Sequence, residues 1–172
     1  MNKIEKDIDS IVTKLQKVHL FSKIKEDKNE LGKIADILEP KFCERNNLII
    51  KEGDFGSEMY ILKSGVVEIT KSTLEDEEYT LVKLNSDMNV FFGELALLDN
   101  DKRSASIKAV TNCEYWALSR ENFEKLGENE PSLCLLLTRE IAQILASRLR
   151  KANLDMITLF ESLVNEVEET LL

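Results

Sequence analysis

The apolar residues change period along the chain. In residues 3–17, Ile4, Ile8, Ile11, Val12 and Leu15 recur at helical spacing, with Lys, Asp and Glu on the opposite face. In residues 26–38, Leu31, Ile34, Ile37 and Leu38 predict a second helix, which Pro40 stops. The pattern then shortens to strand-like runs. Phe42 and Leu48–Ile50 open this region, and Met59–Leu62, Val66–Thr70 and Tyr79–Leu84 continue it. Glu52-Gly53-Asp54-Phe55-Gly56 and Ser64-Gly65 are turn signatures, and Ser72–Glu78 is a charged hairpin tip. Ser104–Val110 and Glu114–Leu118 predict two more strands, with Trp116 in a packing role ahead of a stacking one. Helical spacing then returns. Ser119 caps a short helix and Pro131 starts a last one. There Ala142, Leu145, Leu149, Ala152, Met156, Leu159 and Leu163 step by three and four as a heptad seam that breaks at Glu166. The seam either pairs with a second copy or packs on the chain's own strands.

The organisation expected from this pattern is α+β. Residues 1–40 form an N-terminal helical segment. Residues 41–118 form a jelly-roll-like β-roll of about eight antiparallel strands, and residues 119–172 form the flanking C-terminal helices.

Chemistry concentrates in residues 91–109, FFGELALLDNDKRSASIKA. Gly93 permits close backbone approach, and the N–H groups at the start of the following helical turn favour an anion. Arg103 lies nine residues beyond Glu94, where a loop folds it back beside those groups. An Arg fork beside a helix start suits a phosphate. Glu94 suits a hydroxyl that donates to it, as a sugar hydroxyl does. A ligand with one phosphate and one ribose hydroxyl satisfies the set.

Composition narrows the alternatives. Hydrophobic content of 43% and charged content of 32% are those of a globular protein, and 172 residues make one domain with appendages. The net charge of −9 argues against DNA or RNA as partner. No apolar run approaches the ~20 residues of a membrane span. Cys43, Cys113 and Cys134 show no CxxC spacing and read as small hydrophobes in a reducing cytoplasm, in the absence of a signal peptide. His19, the single histidine, cannot build a metal cluster, and no Ser-His or Cys-His set is evident, so no enzyme and no cofactor are expected.

The stretch from Phe92 to Leu97, with Arg103-Ser104-Ala105 at fixed spacing, resembles the phosphate-binding cassette of cyclic nucleotide-binding domains, here residues 91–106. Lys102 stands where the family often has Pro. EGDFGSEMYILKSGVVEI resembles the first half of that family's β-roll, and Val18–Ser22 its entry segment. Gly53, Gly56, Gly65 and Gly93, four of the six glycines, fall at the family's turn positions. The loop between Leu84 and Gly93 is longer than the usual form, with Asn85 and Asn89 where glycine is common, and Asn tolerates the left-handed region.

The resemblance implies a ligand, cAMP or less readily cGMP. It implies that Arg103 holds the cyclic phosphate and Glu94 accepts from the 2′-hydroxyl. Backbone N–H groups of Gly93, Leu95 and Ala105 support them, and Ser104 contacts phosphate or guanine. Val67, Ile69 and Val82 line the base side, and Arg148 or Leu149 of the last helix supplies a lid contact. In bacterial activators of this family the equivalent helix pairs two subunits, so a homodimer through the C-terminal helix is expected. No DNA-binding segment is expected to follow, since the chain ends. The functional expectation is a sensor that repositions its last helix. The alternative is a β-roll scaffold that dimerises or binds an unknown protein partner without nucleotide.

Overall fold

The computed structural model describes residues 7–73 and 77–170, with side chains through residue 167 in the last helix. Helix α1 spans Ile8–Leu15, with the Asp7 carboxylate accepting from the Ser10 N–H at 3.1 Å as its cap. Ile11, Val12 and Leu15 are its buried face. The expected earlier start, including Ile4, and residues 74–76 of the hairpin tip lie outside the described residues. After a 3-10 turn at His19–Phe21, α2 spans Lys28–Ile37, capped by Asp27. Pro40 does more than follow this helix. It lies within strand β1, Glu39–Cys43, opposite Trp116, so the sheet opens at Glu39 rather than at residue 41. An edge strand tolerates the missing N–H.

The remaining strands are β2 (Leu48–Ile50), β3 (Glu58–Ser64), β4 (Val66–Ser72), β5 (Glu78–Asn85), β6 (Phe91–Phe92), β7 (Ser106–Ala109) and β8 (Cys113–Ser119). They form two four-stranded sheets, β1-β8-β3-β6 and β2-β7-β4-β5, with antiparallel pairing throughout. Alternation along β3 and β8 explains their unbroken burial. Met59, Ile61, Trp116 and Leu118 face a core shared with the helices. Tyr60, Leu62, Tyr115 and Ala117 face a second core with Val67, Ile107 and Phe92. Trp116 is therefore a core residue, as expected.

In the long loop before the cassette, Asn89 takes the left-handed conformation (φ 52°). Asn85 does not: it is extended (φ −110°) and its side chain caps the 3-10 turn Ser86–Met88. Lys14 of α1 donates to the Ser86 carbonyl at 2.5 Å, and burial pushes its pKa down.

Helix α3 spans Arg120–Asn129, with Ser119 as cap, and α4 spans Pro131–Thr170. Leu133, Leu137 and Ile141, one turn apart, bury α4 against the helical core. Of the expected seam, Leu145 packs against this core, whereas Leu149, Met156, Leu159 and Leu163 are exposed. Every residue from Ser147 to Val167 is exposed.

Candidate functional site

A cavity of about 490 Å³ opens between β4, β5, the segment after β6 and the docked part of α4. Gly93 starts its floor. The expected helical turn is a 3-10 turn, Glu94–Leu97, closed by the Ala96 N–H on the Gly93 carbonyl at 3.2 Å. Gly93 has φ 76°, which only glycine adopts without strain. A Cβ there would also lie 2.9 Å from Arg103 Nη1 and 3.2 Å from the Glu58 carbonyl oxygen.

Arg103 is held in place through its backbone and its fork. Its N–H donates to the Asp54 carbonyl (2.8 Å) and its own carbonyl accepts from Gly53 (2.9 Å). Its Nη1 donates to the Gly93 carbonyl (3.2 Å) and Nη2 to the Glu58 carbonyl (2.7 Å). Two of the five guanidinium N–H donors are thereby used, and the remainder suit an anion. The fork lies 5.8 Å from the centre of the Tyr60 ring. The Tyr60 hydroxyl donates to Glu58 (2.9 Å), and burial pushes that phenol far up, so it stays neutral. Gly56 is the other neighbour: a Cβ there would lie 2.5 Å from Arg103 Nε, so its role is space.

Glu94 is a buried carboxylate, 4% exposed. Its Oε1 accepts from Nη1 of Arg148, which reaches across from α4, 54 residues away in sequence. The pair is asymmetric: the Arg148 side chain is 56% exposed and that of Glu94 5%. Arg148 also sits 6.0 Å from the centre of the Phe91 ring. Among the cavity's charged residues, Glu94, Asp99 and Asp101 balance Lys102, Arg103 and Arg148.

The structure brings together Gly93, Glu94, Leu95, Arg103, Ser104, Ala105, Ile69, Val82 and Arg148, all on the cavity lining. Val67 is a correction. It shares the inward face of β4 with Ile69, but it is fully buried in the core with Leu62, Ala109 and Cys113 and does not line the cavity. Leu149 is also outside it, exposed on α4 beside Arg148. Leu84 and Leu145 do line it, and sequence reasoning missed them in that role. Leu84 is the pair partner of Val67 across β4 and β5, a signal visible only once the register is known. Arg120 is a second omission. Its Nε donates to the Ala96 carbonyl (2.8 Å), Nη1 to Asn100 Oδ1 (3.1 Å) and Nη2 to the Asp99 carbonyl, so α3 clamps the loop after the 3-10 turn.

Apolar side chains, the Arg103 guanidinium and the Glu94 carboxylate line one pocket, and the unused guanidinium donors suit a small anion. A sequence profile described as "Cyclic nucleotide-binding domain" matches residues 40–130. The Cyclic AMP receptor protein of Thermus thermophilus is 38% identical over 125 residues, covering 72% of this chain and 55% of that protein. Human cGMP-dependent protein kinase 2 is 38% identical over 112 residues, covering 64% of this chain and 14% of the kinase. The crystal structure of Thermus thermophilus Catabolite Activator Protein superposes with a TM-score of 0.72 at 32% identity, covering 81% of this chain and 62% of that one. This chain belongs to the cyclic nucleotide-binding domain family, whose domains are regulatory and not themselves catalytic. It spans about half the length of the receptor protein and a small part of the kinase. Among the described residues, no helix is long and apolar enough to cross a membrane, and no group of three or more His, Cys, Asp or Glu is arranged to hold a metal ion.

Proposed function

We propose that this domain is a sensor that binds cAMP in preference to cGMP and signals through α4. The observation that carries the reading is the cavity, which Arg103, Glu94, Ile69, Val82 and Leu84 line together. Arg103 holds the cyclic phosphate with the donors its carbonyl contacts leave over. Glu94 accepts from the ribose 2′-hydroxyl, and backbone N–H groups of Gly93, Leu95 and Ala105 assist. Ser104, exposed at the rim, adds a hydroxyl that both donates and accepts. Ile69 and Val82 take the base side. The relative covering 72% of this chain carries cyclic AMP in its name, and the kinase carries cyclic GMP, so the preference rests on the first.

Glu94 also holds Arg148, so the carboxylate that reads the sugar is the one that tethers α4. A ligand shifts the position of α4 only through differential affinity for its two positions. The charge balance gives the direction. With Arg148 docked the cavity is neutral before an anion arrives; without it, the cavity is already negative. Bound nucleotide therefore favours the docked helix. The exposed seam of α4 pairs two copies about a two-fold axis, the commonest closed arrangement. Free thiols at Cys43, Cys113 and Cys134 are consistent with action in the cytoplasm.

A second reading draws on the same ion pair. If Arg148 fully occupies Glu94, the β-roll is a scaffold that dimerises or binds a protein without nucleotide. Thermal shifts with cAMP, cGMP and the linear monophosphates separate the two. A ligand at 100 times its dissociation constant stabilises by about 2.7 kcal/mol. Arg103→Ala should cut affinity by roughly ten- to a hundredfold, since it removes a charge-assisted contact. No shift with either cyclic nucleotide would leave the scaffold reading.

A further inference from the structure

Beyond its docked part, α4 exposes every residue from Ser147 to Val167, and the order of residues on that stretch sets how two copies meet. A heptad seam counted from Leu149 runs through Met156 and Leu163 and then seats Glu166, where it breaks. A straight helix carries its apolar face on differently, because about 3.6 residues make a turn rather than 3.5. Leu149 and Val167 are separated by about five full turns, so they point the same way. Met156, Phe160 and Leu163 lie between them within roughly 40° of the same line, and all five are exposed. This stripe is roughly 27 Å long at 1.5 Å per residue. Thr158 is its midpoint: Leu149 and Val167 are equidistant from it, and so are Met156 and Phe160.

The charges of the stretch are segregated along it. Arg148, Arg150 and Lys151 stand at its start, and Asp155, Glu161 and Glu166 follow. Each residue is turned about 100° from its neighbour. Arg148 precedes Leu149 and Glu166 precedes Val167, so both lie on one margin of the stripe, and Arg150 lies on the other. A two-fold axis along the helices joins opposite margins. A parallel pair therefore sets Arg148 beside the partner's Arg150 and lays the acidic end against itself. A two-fold axis across the helices joins like margins, so an antiparallel pair sets Arg148 beside the partner's Glu166. Asp155 and Glu161 lie on opposite margins and do not meet in that pair, and Lys151 lies on the far side of the helix. We infer that two copies pair antiparallel, crossing at Thr158, with Leu149 of each against the partner's Val167 and Met156 against the partner's Phe160. The inference rests on the proposal that α4 pairs two copies, and it fixes their orientation and register. The crossing covers the exposed stretch of both helices and leaves the two β-rolls at opposite ends. The acidic end of one helix then stands beside the Arg148 that tethers the other to its cassette. That guanidinium is 56% exposed and keeps donors beyond the one it spends on Glu94.

The test uses the full chain. Leu149→Cys and Val167→Cys are made separately, one of them isotope-labelled, then mixed in equal amounts and mildly oxidised, and the linked species are weighed by mass spectrometry. Antiparallel pairing should link the two variants to each other and neither to itself, because it sets the two copies of residue 149 roughly 27 Å apart. Both native side chains are exposed, so the fold should persist. Wild type, with Cys43 and Cys113 buried and Cys134 half-buried, is the control for native thiols. Sedimentation velocity of Glu166→Arg reads the sign of the charge contact. The pair should weaken by roughly threefold or more at low salt, and the difference should shrink as salt is raised. A parallel pair would tighten instead, since the change relieves acid against acid. Links of each variant to itself, or tighter association of Glu166→Arg, would overturn the antiparallel arrangement and leave pairing through α4 in place. A wild type monomeric at every concentration would overturn the pairing itself, and this inference with it.

Discussion

Replacing Arg148 by Met keeps most of the side chain's length and removes its charge, which isolates the tether between α4 and the cassette. Arg148 bonds a carboxylate that is 5% exposed, yet is itself 56% exposed. A hydrogen bond between charged groups contributes about 1.5–3 kcal/mol, and exposure of one partner discounts it toward the ~0–1 kcal/mol of surface pairs. The expected cost is about 1–2 kcal/mol. It should fall on α4 locally, because Ile141 is the last fully buried residue before this contact and Leu145 is only half-buried. Amide hydrogen exchange in residues 142–150 should therefore quicken by roughly five- to thirtyfold, the factor that corresponds to that energy. The β-roll amides should be unchanged. Arg150→Met, the same loss of charge one turn-fraction away, is the control. Glu94→Gln should quicken the same amides, and Glu94→Gln/Arg148→Met should add little further, since both changes break one contact. With a cyclic nucleotide, Arg148→Met should also bind more weakly, because the cavity is left with two cations against three carboxylates. Exchange no faster than in Arg150→Met would refute the tether. Tighter nucleotide binding would refute the charge argument and show that Arg148 competes with the ribose.

Gly56→Ala should impair nucleotide binding without touching a ligand group, since its Cβ would crowd Arg103 Nε at 2.5 Å and displace the fork; calorimetric titration reads the loss, and unchanged affinity would show that the fork is free to shift. A 2′-deoxy cyclic nucleotide should bind wild type more weakly than its ribo form, and Glu94→Gln should narrow that difference; equal binding by wild type contradicts the hydroxyl role of Glu94. Burial pushes the Tyr115 phenol from 10.0 up to about 12, so the folded state keeps a proton that the unfolded chain releases. Stability should hold below pH 10 and fall as pH rises from there toward 12, and Tyr115→Phe should flatten that fall in alkaline urea titrations.

Much of the fold is local and was legible. Apolar runs bounded by Gly-containing turns placed β2, β3, β4, β5, β7 and β8, but not β1, which carries Pro40, or the two-residue β6, and Ser119 and Pro131 marked two helix starts. The cassette was legible because its ligand groups lie within one short segment, although the contacts that hold Arg103 beside Gly93 come also from Gly53, Asp54 and Glu58. Alternation also put Val67 and Ile69 on one face of β4. It could not tell which of the two meets the cavity and which the closed core, because that depends on the opposite sheet. The same limit hid Leu84, whose partner on β4 follows from register, and Arg120, whose fork reaches carbonyls 21 and 24 residues upstream.

Sequence alone therefore determined the order of the helices and of most strands, and the content of the cassette, since helix and strand periods and turn chemistry are properties of neighbouring residues. Tertiary structure decided which contacts the cassette makes with the rest of the chain. Arg148 was expected at the cavity, as one of two choices for a lid contact, only through the family resemblance. Its partnership with Glu94 exists because Leu133, Leu137 and Ile141 dock α4 at one angle against the helical core. Packing of that kind is set by the shapes of surfaces distant in sequence, and no local spacing records it.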